Sequence, residues 1–200
     1  MYWSGDPTLH AGRLKNCLGP FLLRWKLVAF LNVLFFGTVL GAVLGAQLLF
    51  PPPLFSGANA SLLPWPFSNI GPLVFFYIFA FNLVVSAFVV VTVPGILFFP
   101  FSAAALAFRA ILWGLLLYPL PSDYFLAALP TLILEGEAYV LAATAGTVTG
   151  FSWLKPETGF SRWEALKKGL KECAQLYIPV SLLLFIAAIV ESATLFLIGA

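Results

Sequence analysis

Glu135, Glu137 and Glu191 are three of the eight acidic residues, Arg109 is one of the ten basic ones, and all four stand inside long apolar runs, as does Asn82. Carboxylates beside a guanidinium and a carboxamide can exchange protons, bind ions, or lock helices together through buried hydrogen bonds. At membrane depth each charge costs roughly 2.5–3.5 kcal/mol on insertion scales, so such groups are expected to be paired or to serve a function. Two readings follow. In one, Arg109 pairs with Glu135 or Glu137 while Asn82 bonds across a helix interface. In the other, the five residues line a polar path. Glu135 and Glu137 lie about 200° apart around a helix, so they face different neighbours, one of them a cavity or a second subunit.

The elements that position these residues are built for lipid. Hydrophobic residues make up 62% of the 200-residue chain and charged ones 9%, with a mean hydropathy of +1.01. A soluble domain is about 45–50% apolar and about 25% charged, and this chain lacks the polar residues to coat a water-facing surface. A crossing needs roughly 20 predominantly apolar residues at about 1.5 Å each. Five runs qualify: Leu27 to Phe50, Gly71 to Val93, Ile96 to Tyr118, Tyr124 to Phe151, and 178–199. They are too long and too uniformly apolar for membrane β-strands. The expected fold is an all-α, five-span transmembrane bundle. Counted from the outer ends, Asn82 falls near ~16 Å depth, Arg109 near ~13 Å, Glu135 near ~16 Å and Glu191 near ~12 Å, one slab near mid-membrane.

Proline and glycine mark the boundaries. Pro51-Pro52-Pro53 ends the first span, and Pro72 suits the first turn of the second. Pro94-Gly95 separates the second span from the third, with a re-entrant bend over Pro94 to Pro100 as the alternative. Leu120 to Asp123 forms a turn, and Pro100 and Pro130 predict kinks.

Basic residues set the direction. Arg13, Lys15, Arg24 and Lys26 precede the first span; Lys155, Arg162, Lys167, Lys168 and Lys171 lie between the fourth and fifth. The loop from Pro51 to Ile70 has no charge. Five crossings put both basic segments on one side, which the positive-inside rule makes cytoplasmic, with the C-terminus outside the cell membrane. The first apolar run begins too late and extends too far for a cleaved signal, so it is expected to be retained. Cys17 and Cys173 then face a reducing compartment, and His10 alone offers no metal cluster.

Amphipathic stretches flank the spans: 1–26, broken at Gly19-Pro20, and the loop 152–177. In the latter, Phe160, Trp163, Leu166, Leu170, Cys173 and Tyr177 recur with helical period. Ser161 and Glu164 form a capping box at its start. It is expected either to lie in the headgroup region, anchored by Trp163, or to dock a cytoplasmic protein. Aromatic residues Trp65 and Phe67 suit the outer interface, and Asn59-Ala60-Ser61 is formally a glycosylation sequon. Gly37, Gly41 and Gly45 recur every fourth residue, and Ala138, Ala142, Ala145 and Gly146 mark a second small face beside Thr144 and Thr147. Such faces serve tight bundle packing or a homo-oligomer such as a dimer.

The arrangement resembles the stage II sporulation protein M family. Leu129-Pro130-Thr131-Leu132-Ile133-Leu134-Glu135 occupies the stretch where that family has Leu-Pro-His-Gly followed by Glu, with Ala142, Ala143 and Gly146 in step. Asn82 matches the family's asparagine, and Ala187-Ala188-Ile189-Val190-Glu191 its C-terminal Ala-Ile-Glu helix. Thr131 and Leu132 depart from the family's His and Gly, which removes any role needing that imidazole and leaves one for Glu135. The resemblance covers about Leu27 to the end. It implies a membrane scaffold, since in spore formers the family member holds cell-wall hydrolases together.

Two functions are therefore expected to compete. One is a non-enzymatic scaffold recruiting partner proteins. The other is an ion- or proton-coupled transporter, channel or permease subunit whose path is Asn82, Arg109, Glu135, Glu137 and Glu191. The chain carries no phosphate loop, HExxH pair or nucleophile elbow. Neither enzymatic activity, nor a cofactor or metal, nor a nucleic-acid partner is expected; the partner that composition does demand is the lipid bilayer.

Overall fold

The computed structural model describes residues 24–50, 73–118, 120, 122–156, 159 and 161–199, with the backbone alone at Asp123 and at 197–199. The expectations for residues 1–23, for the loop from Pro51 to Ile70, for Pro72 and for Phe160 lie outside them. The described residues form helices and contain no strand. The first span is α1 (Trp25–Leu49). The second is one continuous rod made of α2 (Leu73–Ala80), a π-helical stretch (Phe81–Thr92) and α3 (Val93–Leu97). Then come α4 (Pro100–Leu117), α5 (Ser122–Leu154) and α6 (Arg162–Gly199). Five stretches are long and apolar enough to cross a membrane: Trp25–Leu49, Leu73–Leu97, Pro100–Leu117, Tyr124–Leu154 and Arg162–Phe196.

α5 is the centre of the bundle. Half of its most apolar window is buried, against 22% for α1 and for the second span, so the others are arranged around it. Ala138, Tyr139, Val140, Ala142 and Ala143 are buried on every side of the helix, the mark of a rod enclosed by its neighbours. α6 packs along α5, while α1 and α4 pack on each other and on α5 from elsewhere around it. α1 offers Val28, Leu31, Phe35, Val39 and Ala46 as its inner stripe. Leu106, Ala110, Gly114 and Leu117 do the same for α4.

The boundary after the second span differs from the sequence expectation. Pro94-Gly95 does not break the helix, which runs on to Leu97 and turns at Phe98-Phe99. Pro94 stands at the join between the π-helical stretch and α3. Gly95 is kept small by packing: a Cβ there collides with Ser102 Oγ and stands 3.0 Å from the Gly146 backbone. Phe98 adopts an extended conformation (φ −150°, ψ 112°), which ends the helix. Orphan carbonyls at this end are taken up from α5, by Trp153 Nε1 donating to Ile96 at 2.7 Å and Thr147 Oγ to Phe99 at 3.4 Å. Pro100 opens α4 at its N-terminal turn rather than kinking a span, whereas Pro130 lies inside α5.

The stretch before the last span also differs. It is no separate helix, because α6 runs unbroken for 38 residues, with Pro179 inside it. At about 1.5 Å per residue that is ~57 Å, well beyond a ~30 Å hydrocarbon core, and the first turns stand out as an extension of the span. The stripe they pack on the bundle is Ala165, Gly169, Cys173 and Leu176, while Trp163 is 63% and Leu170 44% exposed. This packing has a cause on α5: Thr149 Oγ donates to the Gly169 carbonyl at 3.0 Å, and a Cβ on Gly169 meets Ser152. The capping box forms as expected, with Ser161 N and Oγ donating to Glu164 Oε2 at 2.9 and 2.7 Å and Glu164 N donating to Ser161 Oγ at 3.3 Å.

Candidate functional site: the intramembrane polar cluster

The centre of the polar slab is a residue that sequence reasoning passed over. Tyr139 is completely buried, and a buried tyrosine needs partners for its hydroxyl. It lies one turn beyond Glu135 on the same face of α5, and its Oη is 3.1 Å from Glu135 Oε2. The same Oη is 3.1 Å from Asn82 Oδ1, at the start of the π-helical stretch. Asn82 Nδ2 closes the triangle with a short hydrogen bond to Glu135 Oε1. Arg109 on α4 donates from Nη2 to Tyr139 Oη at 2.9 Å, its guanidinium carbon 4.9 Å from the ring centroid.

Arg109 therefore forms no ion pair within 4 Å with either glutamate; it reaches the carboxylate of Glu135 through Tyr139. Glu135 and Glu191 both lie within electrostatic reach of Arg109, and Trp113, one turn after Arg109, sits beside Glu135. A salt bridge of 3.8 Å from Arg24 to Glu172 joins the start of α1 to the early turns of α6. Arg109 Nε and Ser192 Oγ, the latter next to Glu191, are buried without a hydrogen-bond partner.

Glu137 points elsewhere, as its angular offset from Glu135 requires. Within the chain its partner is Asn32 of α1, whose Nδ2 is 3.5 Å from Oε2 and 3.2 Å from the Val28 carbonyl. The first span, uncharged in sequence, thus joins the polar slab through a carboxamide. A search for charge misses Asn32, and a search for polar residues misses Tyr139, which counts as aromatic. The Glu135 to Tyr139 spacing of four was the available signal.

The π-helical stretch sets Asn82 against α5. Its geometry makes i→i+5 bonds, and such turns are frequent at functional sites. At its other end Thr92 Oγ stands 3.0 Å from the Ala87 carbonyl, 2.9 Å from that of Ala142 and 2.7 Å from Tyr177 Oη. Ser102 Oγ donates to the Val91 carbonyl at 2.8 Å. These contacts tie the second span to α4, α5 and α6 on the far side of the slab.

Gly146 is a close-approach residue: a Cβ there would lie 2.6 Å from the Thr92 carbonyl oxygen. Gly37, Gly41 and Gly45 are not, since a Cβ on any of them meets nothing within 4 Å. Gly41 and Gly45 line a shallow apolar groove with Thr38, Ala42, Ile111 and Leu115. Among the described residues no group of His, Cys, Asp and Glu could hold a metal ion.

The five apolar rods and the mid-depth cluster define a polytopic integral membrane protein. The family model of Stage II sporulation protein M matches residues 29–194, all five spans and every member of the cluster, and the chain belongs to that family. Neither the curated proteins nor the solved structures contain a match.

Proposed function

We propose that the protein is a non-enzymatic membrane scaffold that holds partner proteins at the bilayer, with its N-terminus cytoplasmic and its C-terminus outside. The observation that carries this reading is the closure of the polar cluster. Asn82, Arg109, Glu135 and Tyr139 bond to one another, so the polar groups of the second span, α4 and α5 lock helices together. The scaffold role of the family in spore formers points the same way. The extension of α6 offers a surface for a partner, with Trp163 exposed under the Lys167 ammonium at 5.3 Å and Lys171 on the outer side. The open glycine face of α1 suits a second copy. The basic residues at the start of α1 and along α6 support the orientation, and Arg24 to Glu172 puts both at one end of the bundle.

The transport reading has one observation in its favour: the buried, unpartnered Arg109 Nε and Ser192 Oγ beside Glu191. One experiment separates the two. Reconstituted into liposomes under an imposed pH gradient, a scaffold leaves the gradient intact. Its co-purifying partner is lost when Lys167, Lys168 and Lys171 are replaced by Glu. A gradient collapsed by the wild type but not by Glu135→Gln overturns the scaffold in favour of a path.

A further inference from the structure

The triangle of Asn82, Glu135 and Tyr139 has three edges, and each edge needs a hydrogen. A tyrosine hydroxyl carries one hydrogen, and a carboxylate none. One amide N–H of Asn82 covers the edge to Glu135, and the Tyr139 hydrogen covers one of the other two. The contact from Arg109 brings its own hydrogen and leaves it on Tyr139, so it adds nothing to the triangle. With Glu135 ionised, one edge therefore sets two oxygens against each other at 3.1 Å with no hydrogen between them. Exchanging the amide O and N of Asn82 does not help. The amide then donates to Tyr139 and Tyr139 to Glu135, which leaves the Asn82 oxygen facing the Glu135 oxygen bare.

A proton on Glu135 completes the set in either orientation. In the orientation described, Glu135 Oε2–H donates to Tyr139 Oη, Tyr139 donates to Asn82 Oδ1, and Asn82 Nδ2 donates to Glu135 Oε1. Tyr139 Oη then accepts twice, from Glu135 and from Arg109, which matches its two lone pairs. Charge gives a second count. The groups facing this point are Arg109 and Trp113 from α4, Asn82 from the second span, Glu135 and Tyr139 from α5, and Glu191 from α6. Glu137 is turned to Asn32 of α1. At this point two ionised carboxylates against one guanidinium leave a net negative charge, whereas one leaves none, and uncompensated buried charge is costly.

We infer that the Asn82–Glu135–Tyr139 triangle is a one-proton binding site, with the proton on Glu135. The test is carboxyl ¹³C solid-state NMR on the full chain in lipid bilayers at neutral pH, with glutamates assigned through the backbone. The Glu135 side-chain carboxyl carbon is expected in the protonated range. Glu135 in the carboxylate range overturns the proton site. One variant sharpens the result. Glu135→Gln keeps a carbonyl for Asn82 and an N–H for Tyr139, so its melting temperature stays within a few degrees of wild type; a large drop counts against the hydrogen count.

Discussion

A methyl group placed on Gly37, Gly41 or Gly45 of α1 meets nothing within 4 Å, whereas on Gly146 it meets the Thr92 carbonyl oxygen at 2.6 Å and on Gly136 the Phe35 ring at 2.6 Å. On Gly150 it overlaps the Gly95 carbonyl oxygen. The two helices carry the same residue type and use it in opposite ways. On α5 glycine lets two backbones approach, and this brings the second span near enough for Asn82 and Thr92 to reach α5 side chains and carbonyls. On α1 the inner face belongs to Val28, Leu31, Phe35 and Val39, and the glycines look outward or into the groove shared with α4. A small-residue repeat therefore marks a face that permits close approach without saying which face of the helix the bundle uses.

Substitutions can break or sharpen this contrast. The largest effect is expected from Gly146→Leu, where the added side chain runs into backbone and cannot be accommodated by a rotamer change. Overpacking of this kind costs about 3 kcal/mol or more, read as a lowered melting temperature in detergent or bilayer. Next comes Tyr139→Phe, which keeps the ring but leaves Arg109, Asn82 and Glu135 short of a partner in a buried site. About 1–3 kcal/mol is expected, and a change below that range would show that the polar network contributes less than the glycine contacts.

Ser161→Ala removes the capping box at the exposed start of α6, at about 1 kcal/mol of local helix stability. Faster hydrogen exchange confined to the first turn of α6, with an unchanged global melting temperature, is the expected readout. The smallest effect, and of opposite sign, is expected for Gly41→Ala. It gains helix propensity of up to about 1 kcal/mol with no steric cost within the chain, so the isolated protein melts at the same or a slightly higher temperature. If Gly41→Ala instead destabilises the isolated chain as Gly146→Leu does, the contrast between the two helices is lost. If it weakens self-association alone, measured by cross-linking in bilayers, the α1 face is the contact between copies.

Apolar run length and the deficit of charge were enough to read five crossings, because hydrocarbon imposes a minimum length and forbids unpaired backbone. That Asn82, Arg109 and Glu135 fall at one level of the bundle was equally legible, because height follows from residue count along a helix. So was the cap at Ser161 and Glu164, a contact within one turn. Packing between helices decided the remainder. That Arg109 reaches Tyr139, that Glu137 finds Asn32, that Gly95 stays helical and that the last span extends to Arg162 all depend on which neighbour lies opposite. Periodicity along one helix names its faces, but the partner of a face is set by rotation and register against another helix, and these are properties of the assembled bundle.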